Sequence, residues 1–324
     1  MDALSLIRKP IGRELEEYKK VFDSYLIHSN PILREVLKFI GQRKGKMMRP
    51  ILTLLSAKLF GDINESSIFT AATFEFTHTA SLVHDDVVDE SEERRGLPSV
   101  NSIYNNKVAV LVGDYILASG LLNAYNAGNS EIVKIVSTAA QKLANGELLQ
   151  LKNVEYEKIS EDVYFEIIKN KTAALFSACA EGGAVSTGAS EKDRENMRRF
   201  GEIIGICFQI KDDIFDYYDE NDIGKPTGND MQEGKLTLPV IHALFTTGSN
   251  EMFDIAYKVK SRNVTHDEIV KLIQFTKENG GIEYAENVMK KYAADANKIL
   301  DEYEDSDIKD ALKAYVDFVI ERNK

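Results

Sequence analysis

Apolar residues recur at helical spacing along almost the whole chain. In ILREVLKFI (32–40), ILTLLSAKLF (51–60) and EIVKIVSTAAQKLANGELLQL (131–151) they fall three and four positions apart, which lines one face of a 3.6-residue helix. Strand-type alternation between paired turn signals is hard to find. The punctuation agrees. Ser29-Asn30-Pro31 reads as a helix cap followed by proline in the first turn, and Gly41 and Gly61 close helical runs. Proline is rare, with none between Pro98 and Pro226. The expected fold class is all-α, a single large bundle of roughly ten or more helices with no sheet of consequence.

Two polar segments interrupt the pattern, SEERRGLPSVNSIYNNK (91–107) and YDENDIGKPTGNDMQEGKLTLP (218–239). Residues 172–190, TAALFSACAEGGAVSTGAS, are rich in small side chains, which suits either close helix packing or a ligand wall. From about 250 onward the chain is charged, amphipathic and without a chemical motif, so solvated faces over a shared core are expected there. No low-complexity linker or solenoid-length repeat divides it, so residues 1–324 are expected to form a single domain.

Composition narrows the function. The 324 residues are 44% apolar, enough for a large core, and carry 40 basic and 52 acidic side chains, a net charge of −12. That balance argues against a nucleic-acid partner, which needs a basic surface, and an anionic leaflet would not attract it. An anionic substrate would need a local cationic cluster or bound metal. The two cysteines, Cys179 and Cys207, have neither pairing nor metal-ligand spacing and read as buried thiols of a reducing compartment. No signal peptide is evident, and no stretch reads as a membrane span of roughly 20 apolar residues. A cytoplasmic protein is expected.

The chemistry lies in two acidic clusters. FEFTHTASLVHDDVVDE (74–90) sets Asp85 and Asp89 one helical turn apart on one face, with Asp86 offset by about 100°. ICFQIKDDIFDYYDE (206–220) repeats the arrangement with Asp212, Asp213 and Asp216. A lone cluster of this kind is more often a solvated acidic face. Here like charges at i, i+4 cost roughly 0.2–0.5 kcal/mol per pair, and both clusters sit at the C-terminal end of an apolar helical run, where the helix dipole disfavours carboxylates. Hard divalent cations would relieve the repulsion, and magnesium completes its octahedron with water and substrate phosphate. Cationic groups flank the clusters in order: Gly45-Lys46-Met47-Met48-Arg49-Pro50, then Arg94-Arg95-Gly96, then Gly224-Lys225-Pro226-Thr227 and Gly234-Lys235. Metal with Arg and Lys is the pairing a diphosphate calls for.

With GKMMRP (45–50), THTASLVHDDVVDESEERRG (77–96), GDYILA (113–118), FQIKDD (208–213) and GKPTGND (224–230) in this order, the chain resembles the trans-type polyprenyl diphosphate synthases, most closely the long-chain octaprenyl and solanesyl types. The resemblance implies a ring of mostly antiparallel helices around a central cavity, the isoprenoid synthase fold, and a homodimer. It implies magnesium ligation by Asp85, Asp86, Asp89, Asp212, Asp213 and Asp216, with three Mg2+ ions that Mn2+ can replace. Lys46, Arg49, His78 and Arg95 match isopentenyl diphosphate contacts. Arg94, Lys171, Thr172, Gln209, Lys225 and Lys235 match contacts to the allylic diphosphate, and the C-terminal Arg-Asn-Lys matches a segment that closes over the homoallylic diphosphate.

The implied reaction is head-to-tail condensation of isopentenyl diphosphate with an allylic prenyl diphosphate. The allylic carbon–oxygen bond breaks, the homoallylic double bond attacks the cation, and a proton leaves, with pyrophosphate released. The growing chain is expected beside the first-cluster helix, with Ala80 and Ser81 as its upper wall and Thr77 and Phe76 further down. Because Ala80 and Ser81 are small, a long all-trans product is expected, octaprenyl within a hexaprenyl-to-decaprenyl range. The competing readings are a short-chain farnesyl or geranylgeranyl synthase, a class I terpene cyclase, a non-catalytic partner subunit and a magnesium-binding scaffold. The second DDxxD and the Lys46/Arg49/His78 set weigh against the cyclase, and two intact clusters weigh against the partner subunit.

Overall fold

A computed structural model describes residues 3–42, 45–94, 96–155, 158–218 and 227–322. It is all-α, as the periodicity predicts. The longer helices are α1 (Ala3–Arg8), α2 (Gly12–Ser24), α3 (Pro31–Gly41), α4 (Met48–Phe60), α5 (Glu65–Val88), α6 (Val100–Tyr104), α7 (Asn106–Asn126), α8 (Ser130–Glu155), α9 (Glu161–Ile168), α10 (Ala174–Ser186) and α11 (Glu191–Phe215). They are followed by α12 (Asn229–Gln232), α13 (Leu238–Thr247), α14 (Asn250–Lys260), α15 (His266–Glu278), α16 (Gly281–Leu300) and α17 (Asp307–Glu321). The one described sheet is a two-residue antiparallel ladder, β1 (Glu93–Arg94) on β2 (Leu97–Pro98).

The chain divides into two compact units, residues 1–141, 175–201 and 303–314, and residues 142–174, 202–302 and 315–324. In the first unit α5 is the central element. Asn64 caps it in a reciprocal box: the Ser67 amide donates to the Asn64 side chain, and the Asn64 amide to Ser67 Oγ. Its buried threonines Thr70, Thr73 and Thr77 return their hydroxyls to the carbonyl four residues back, so burial leaves no orphan donor. The expected cap of α3 is present, with Asn30 Oδ1 accepting from the amides of Ile32 and Leu33 at 3.0 and 3.2 Å.

The small-residue stretch resolves to close packing at Gly183. A Cβ there would lie 2.2 Å from the Thr53 carbonyl oxygen of α4, so only glycine lets the two helices approach so closely. Both cysteines are free and buried, and burial lifts each thiol to about 12.

One helix bears on the expectation that no stretch spans a membrane. α7 is 21 residues long and contains an 18-residue window of mean hydropathy 1.5, 44% of it buried, which meets the length and composition of a membrane span. Gly113, Asp114, Ser119 and Gly120 interrupt its apolar run. α7 packs along α5 through Val112, Ile116, Gly120 and Ala124. Its other face leaves Leu111 68% and Tyr125 75% exposed, with Val110, Leu121 and Leu122 beside them.

In the second unit the buried face of α11 (Ile203, Ile204, Cys207, Ile210 and Ile214) carries the second cluster at its end. Between α9 and α10 the chain forms a π-helical turn, Lys169–Ala173. Gly146 of α8 faces it, and a Cβ there would meet the Lys171 amide nitrogen at 2.5 Å. Such turns are frequent at functional sites, and this one holds Lys171 and Thr172.

Candidate active site

The first cluster lies at the C-terminal end of α5. Asp85 and Asp89 are half-buried, while Asp86 is 1% exposed. Asp86 Oδ1 accepts Arg94 Nε at 2.5 Å, and the Asp86 carbonyl accepts the Ser91 amide at 2.9 Å and Asn101 Nδ2 at 3.2 Å. The buried carboxylate therefore fastens the polar loop to the helix end and fixes Arg94. Arg95 lies outside the described residues.

The first basic group opens α4. Met47, between Lys46 and Arg49, takes φ +56°, a left-handed conformation that costs a non-glycine residue about 1–3 kcal/mol and persists where the surroundings impose it. It swings the chain into α4, whose N-terminal amides carry the positive end of a 13-residue helix dipole. Lys46 is exposed, and Arg49 lies over the Phe176 ring at 4.5 Å. His78 sits mid-α5, two turns before Asp85 and on the same side of the helix. α4 and α5 pack directly on each other.

The second cluster is a network. Asp213 is 3% exposed and both its oxygens are taken: Tyr164 Oη donates to Oδ2 at 2.5 Å and Gln209 Nε2 to Oδ1 at 2.8 Å. Thr172 Oγ1 in turn donates to Gln209 Oε1 at 2.6 Å. Burial raises Asp213 well above the usual carboxylate range, neighbouring Asp230 pushes the same way, and the two hydrogen bonds oppose them. Asp216 accepts the amides of Asn229 and Asp230 at 2.9 and 3.1 Å, which anchors the start of α12.

Asp212 is the more open carboxylate, and Arg322 Nη2 reaches it at 2.8 Å while stacking over Phe208. Of the C-terminal Arg-Asn-Lys, Arg322 is held at the second cluster, and Asn323 and Lys324 lie outside the described residues. Lys171 pairs with Glu147 and Lys235 with Glu233, and Lys225 lies outside the described residues. Tyr164, Lys171, Thr172, Gln209, Asp213 and Lys235 are among the residues lining a cavity of about 140 Å³ in this unit.

Among the described residues no three His, Cys, Asp or Glu side chains form a ready cage for a cation. Magnesium asks for less, one or two carboxylates with water and substrate phosphate filling the rest. Half-buried Asp85, Asp89 and Asp212 fit that demand, and Asp86 and Asp213, deeply buried and hydrogen-bonded, hold the neighbouring side chains in place.

The sequence profile of the polyprenyl synthetase family matches residues 30–274. The chain belongs to the polyprenyl synthetase family. It is 32% identical over 311 residues to the octaprenyl diphosphate synthase of Haemophilus influenzae, covering 95% of this chain and 94% of the relative. Among solved structures it is similar to a geranylgeranyl pyrophosphate synthase from Bacteroides thetaiotaomicron, at 50% identity and TM-score 0.89 over 99% of this chain and 100% of that one. It is also similar to a decaprenyl diphosphate synthase from Rhodobacter capsulatus, at 33% identity and TM-score 0.92 over 99% of each. As a polyprenyl synthetase it is a prenyltransferase of isoprenoid biosynthesis, in a family that generally depends on magnesium.

Sequence reasoning singled out neither Tyr164 nor Met47, and it did not foresee the pairing of Arg322 with Asp212. Met47 lay inside a quoted motif, but its backbone strain has no sequence signal. Tyr164 and Arg322 lie 49 and 110 residues from their carboxylate partners, beyond any local pattern.

Proposed function

We propose that this polyprenyl synthetase condenses isopentenyl diphosphate with an allylic prenyl diphosphate, releases pyrophosphate, and repeats the step to build a long all-trans chain. The observation that carries this reading is the division of labour within each acidic cluster, one carboxylate buried as an anchor (Asp86, Asp213) and others only half-buried (Asp85, Asp89, Asp212). Bound magnesium, for which we propose three ions, supplies Lewis acidity to the allylic diphosphate. By the resemblance, Arg94, Lys171, Lys225 and Lys235 draw further charge from the leaving group. Thr172 and Gln209, locked to each other, present oxygens that steady the allylic cation. Lys46, Arg49 and His78, with Arg95 by resemblance, hold the homoallylic diphosphate at the start of α4. No side-chain nucleophile is required.

Product length is read at α5. Ala80 is buried and Ser81 half-buried, and both are small. Phe76, one turn or about 6 Å nearer the N-terminus on Ala80's side, is the first large side chain. It stacks on Phe22 at 4.7 Å and meets Tyr25 edge-on at 5.2 Å, beside a space of only about 10 Å³. We propose that the chain passes Ala80 and Ser81 and stops at this aromatic group. The 50% identity to a geranylgeranyl synthase favours a second reading, a twenty-carbon product. Chromatography of the dephosphorylated products from isopentenyl diphosphate and several primers decides between them. A product beyond geranylgeranyl is expected, with Ala80→Phe shortening it and Phe76→Ala lengthening it. A twenty-carbon wild-type product overturns the long reading, and no condensation with magnesium present overturns the function.

The exposed apolar face of α7 suits a second copy of this chain, and we propose a homodimer through it, in the cytoplasm, where the buried thiols stay reduced. Leu111→Glu is expected to halve the mass seen by sedimentation velocity, and an unchanged mass removes α7 from the interface.

A further inference from the structure

Lys260, the last residue of α14, is 5% exposed. Its Nζ donates to the Lys158 carbonyl at 3.0 Å and more weakly to Asn153 Oδ1 at 3.5 Å. Those acceptors are neutral and occupy two of its three N–H groups. Among the described residues no carboxylate pairs with it, and burial alone draws its pKa down, with no opposing charge. A buried ammonium without a counter-ion is costly. In the same cavity wall the other described lysines are balanced, Lys171 by Glu147 and Lys235 by Glu233. Among the described residues, Lys260 is the cation of that wall whose charge no carboxylate answers.

The cavity names the missing partner. It is lined by Lys260 together with Thr172, Gln209 and Asp213, the network that ends in the second cluster. The proposed reaction brings a diphosphate to this network and leaves one behind when the carbon–oxygen bond breaks. We propose that Lys260 is an anion-binding residue of this cavity, its third N–H and its uncompensated charge answered by the diphosphate group of the allylic substrate and then of the released pyrophosphate. The identity of the anion rests on the prenyl-transfer reading, whereas the unbalanced charge does not. Lys260 lies in the stretch after residue 250 that the sequence presents as solvated amphipathic helix, so nothing in its local pattern marks it.

The test compares the full chain with Lys260→Met, which keeps the length without the charge, and Lys260→Arg, which keeps the charge. Inorganic pyrophosphate is titrated calorimetrically with magnesium present, and KM is measured for each substrate. Lys260→Met is expected to weaken pyrophosphate about tenfold, the order of one charge-assisted hydrogen bond, and to raise KM for the allylic substrate. KM for isopentenyl diphosphate is expected to hold, Tm not to fall, and Lys260→Arg to restore most of the affinity. Wild-type pyrophosphate affinity in Lys260→Met overturns the proposal. So does a matched rise in both KM values with a lower Tm, which would make Lys260 a strut for the Lys158 segment. The titration needs no turnover, so a wild-type protein that fails to condense its substrates defeats the prenyl-transfer reading while the Lys260 result still stands or falls on binding.

Discussion

Asp85→Ala is expected to lower kcat by about a thousandfold, the scale on which removal of one electrostatic stabiliser of developing charge acts, while Tm stays level or rises. Both directions follow from one fact. Asp85 lies one turn from Asp89 at the negative end of the α5 dipole, so its charge is unfavourable for the isolated helix by roughly 0.2–0.5 kcal/mol for the pair, with a further contribution from the dipole. The measurement is single-turnover release of pyrophosphate alongside thermal unfolding in chelator. Full turnover in the variant would remove Asp85 from the site, and a large fall in Tm would turn it into a structural residue. Magnesium is expected to raise the Tm of the wild type more than that of the variant, because binding to the folded state alone stabilises it by mass action.

Tyr164→Phe is expected to do the reverse, costing stability as well as rate. The hydroxyl is one of two donors to Asp213, and its loss strands a carboxylate oxygen with almost no access to water. The penalty for an unsatisfied buried polar group is about 1–3 kcal/mol, enough to lower Tm by several degrees in a protein of this size. Tyr164's hydrogen bond also holds Asp213 down against burial and Asp230, so the carboxyl rises further without it. Gln209 then loses a firm anchor, and with it Thr172. A fall of about tenfold in kcat/KM for the allylic substrate is expected, with KM for isopentenyl diphosphate unmoved. A variant with wild-type kinetics and lower stability would confine the network to the fold.

The helices were legible because their signals are local. Asn30-Pro31 and the three- and four-residue spacing of 131–151 act within one or two turns, and the structure places a cap and a helix there. α7 was not singled out in the sequence, since Gly113 and Gly120, which break its apolar run, serve contacts with α5 that no window of sequence contains.

The acidic clusters were visible for the same local reason: i, i+4 carboxylates at an apolar helix end are an unfavourable pattern within one turn, and the cationic groups follow a few residues on. Their internal roles were not visible. Asp85 and Asp86, like Asp212 and Asp213, are chemically identical neighbours in the sequence. Whether a carboxylate faces solvent or Arg94, or lies beneath Tyr164, depends on which distant segment packs against it. The sequence by itself determined the all-α architecture, the order of acidic and basic groups and the family. Only the tertiary structure decided which aspartates are anchors, that Arg322 answers Asp212, that Phe76 meets Phe22 and Tyr25, and that Lys260 is buried without a counter-charge. Each of these is a contact between residues far apart in the chain, set by burial and partner identity rather than by anything a local pattern encodes.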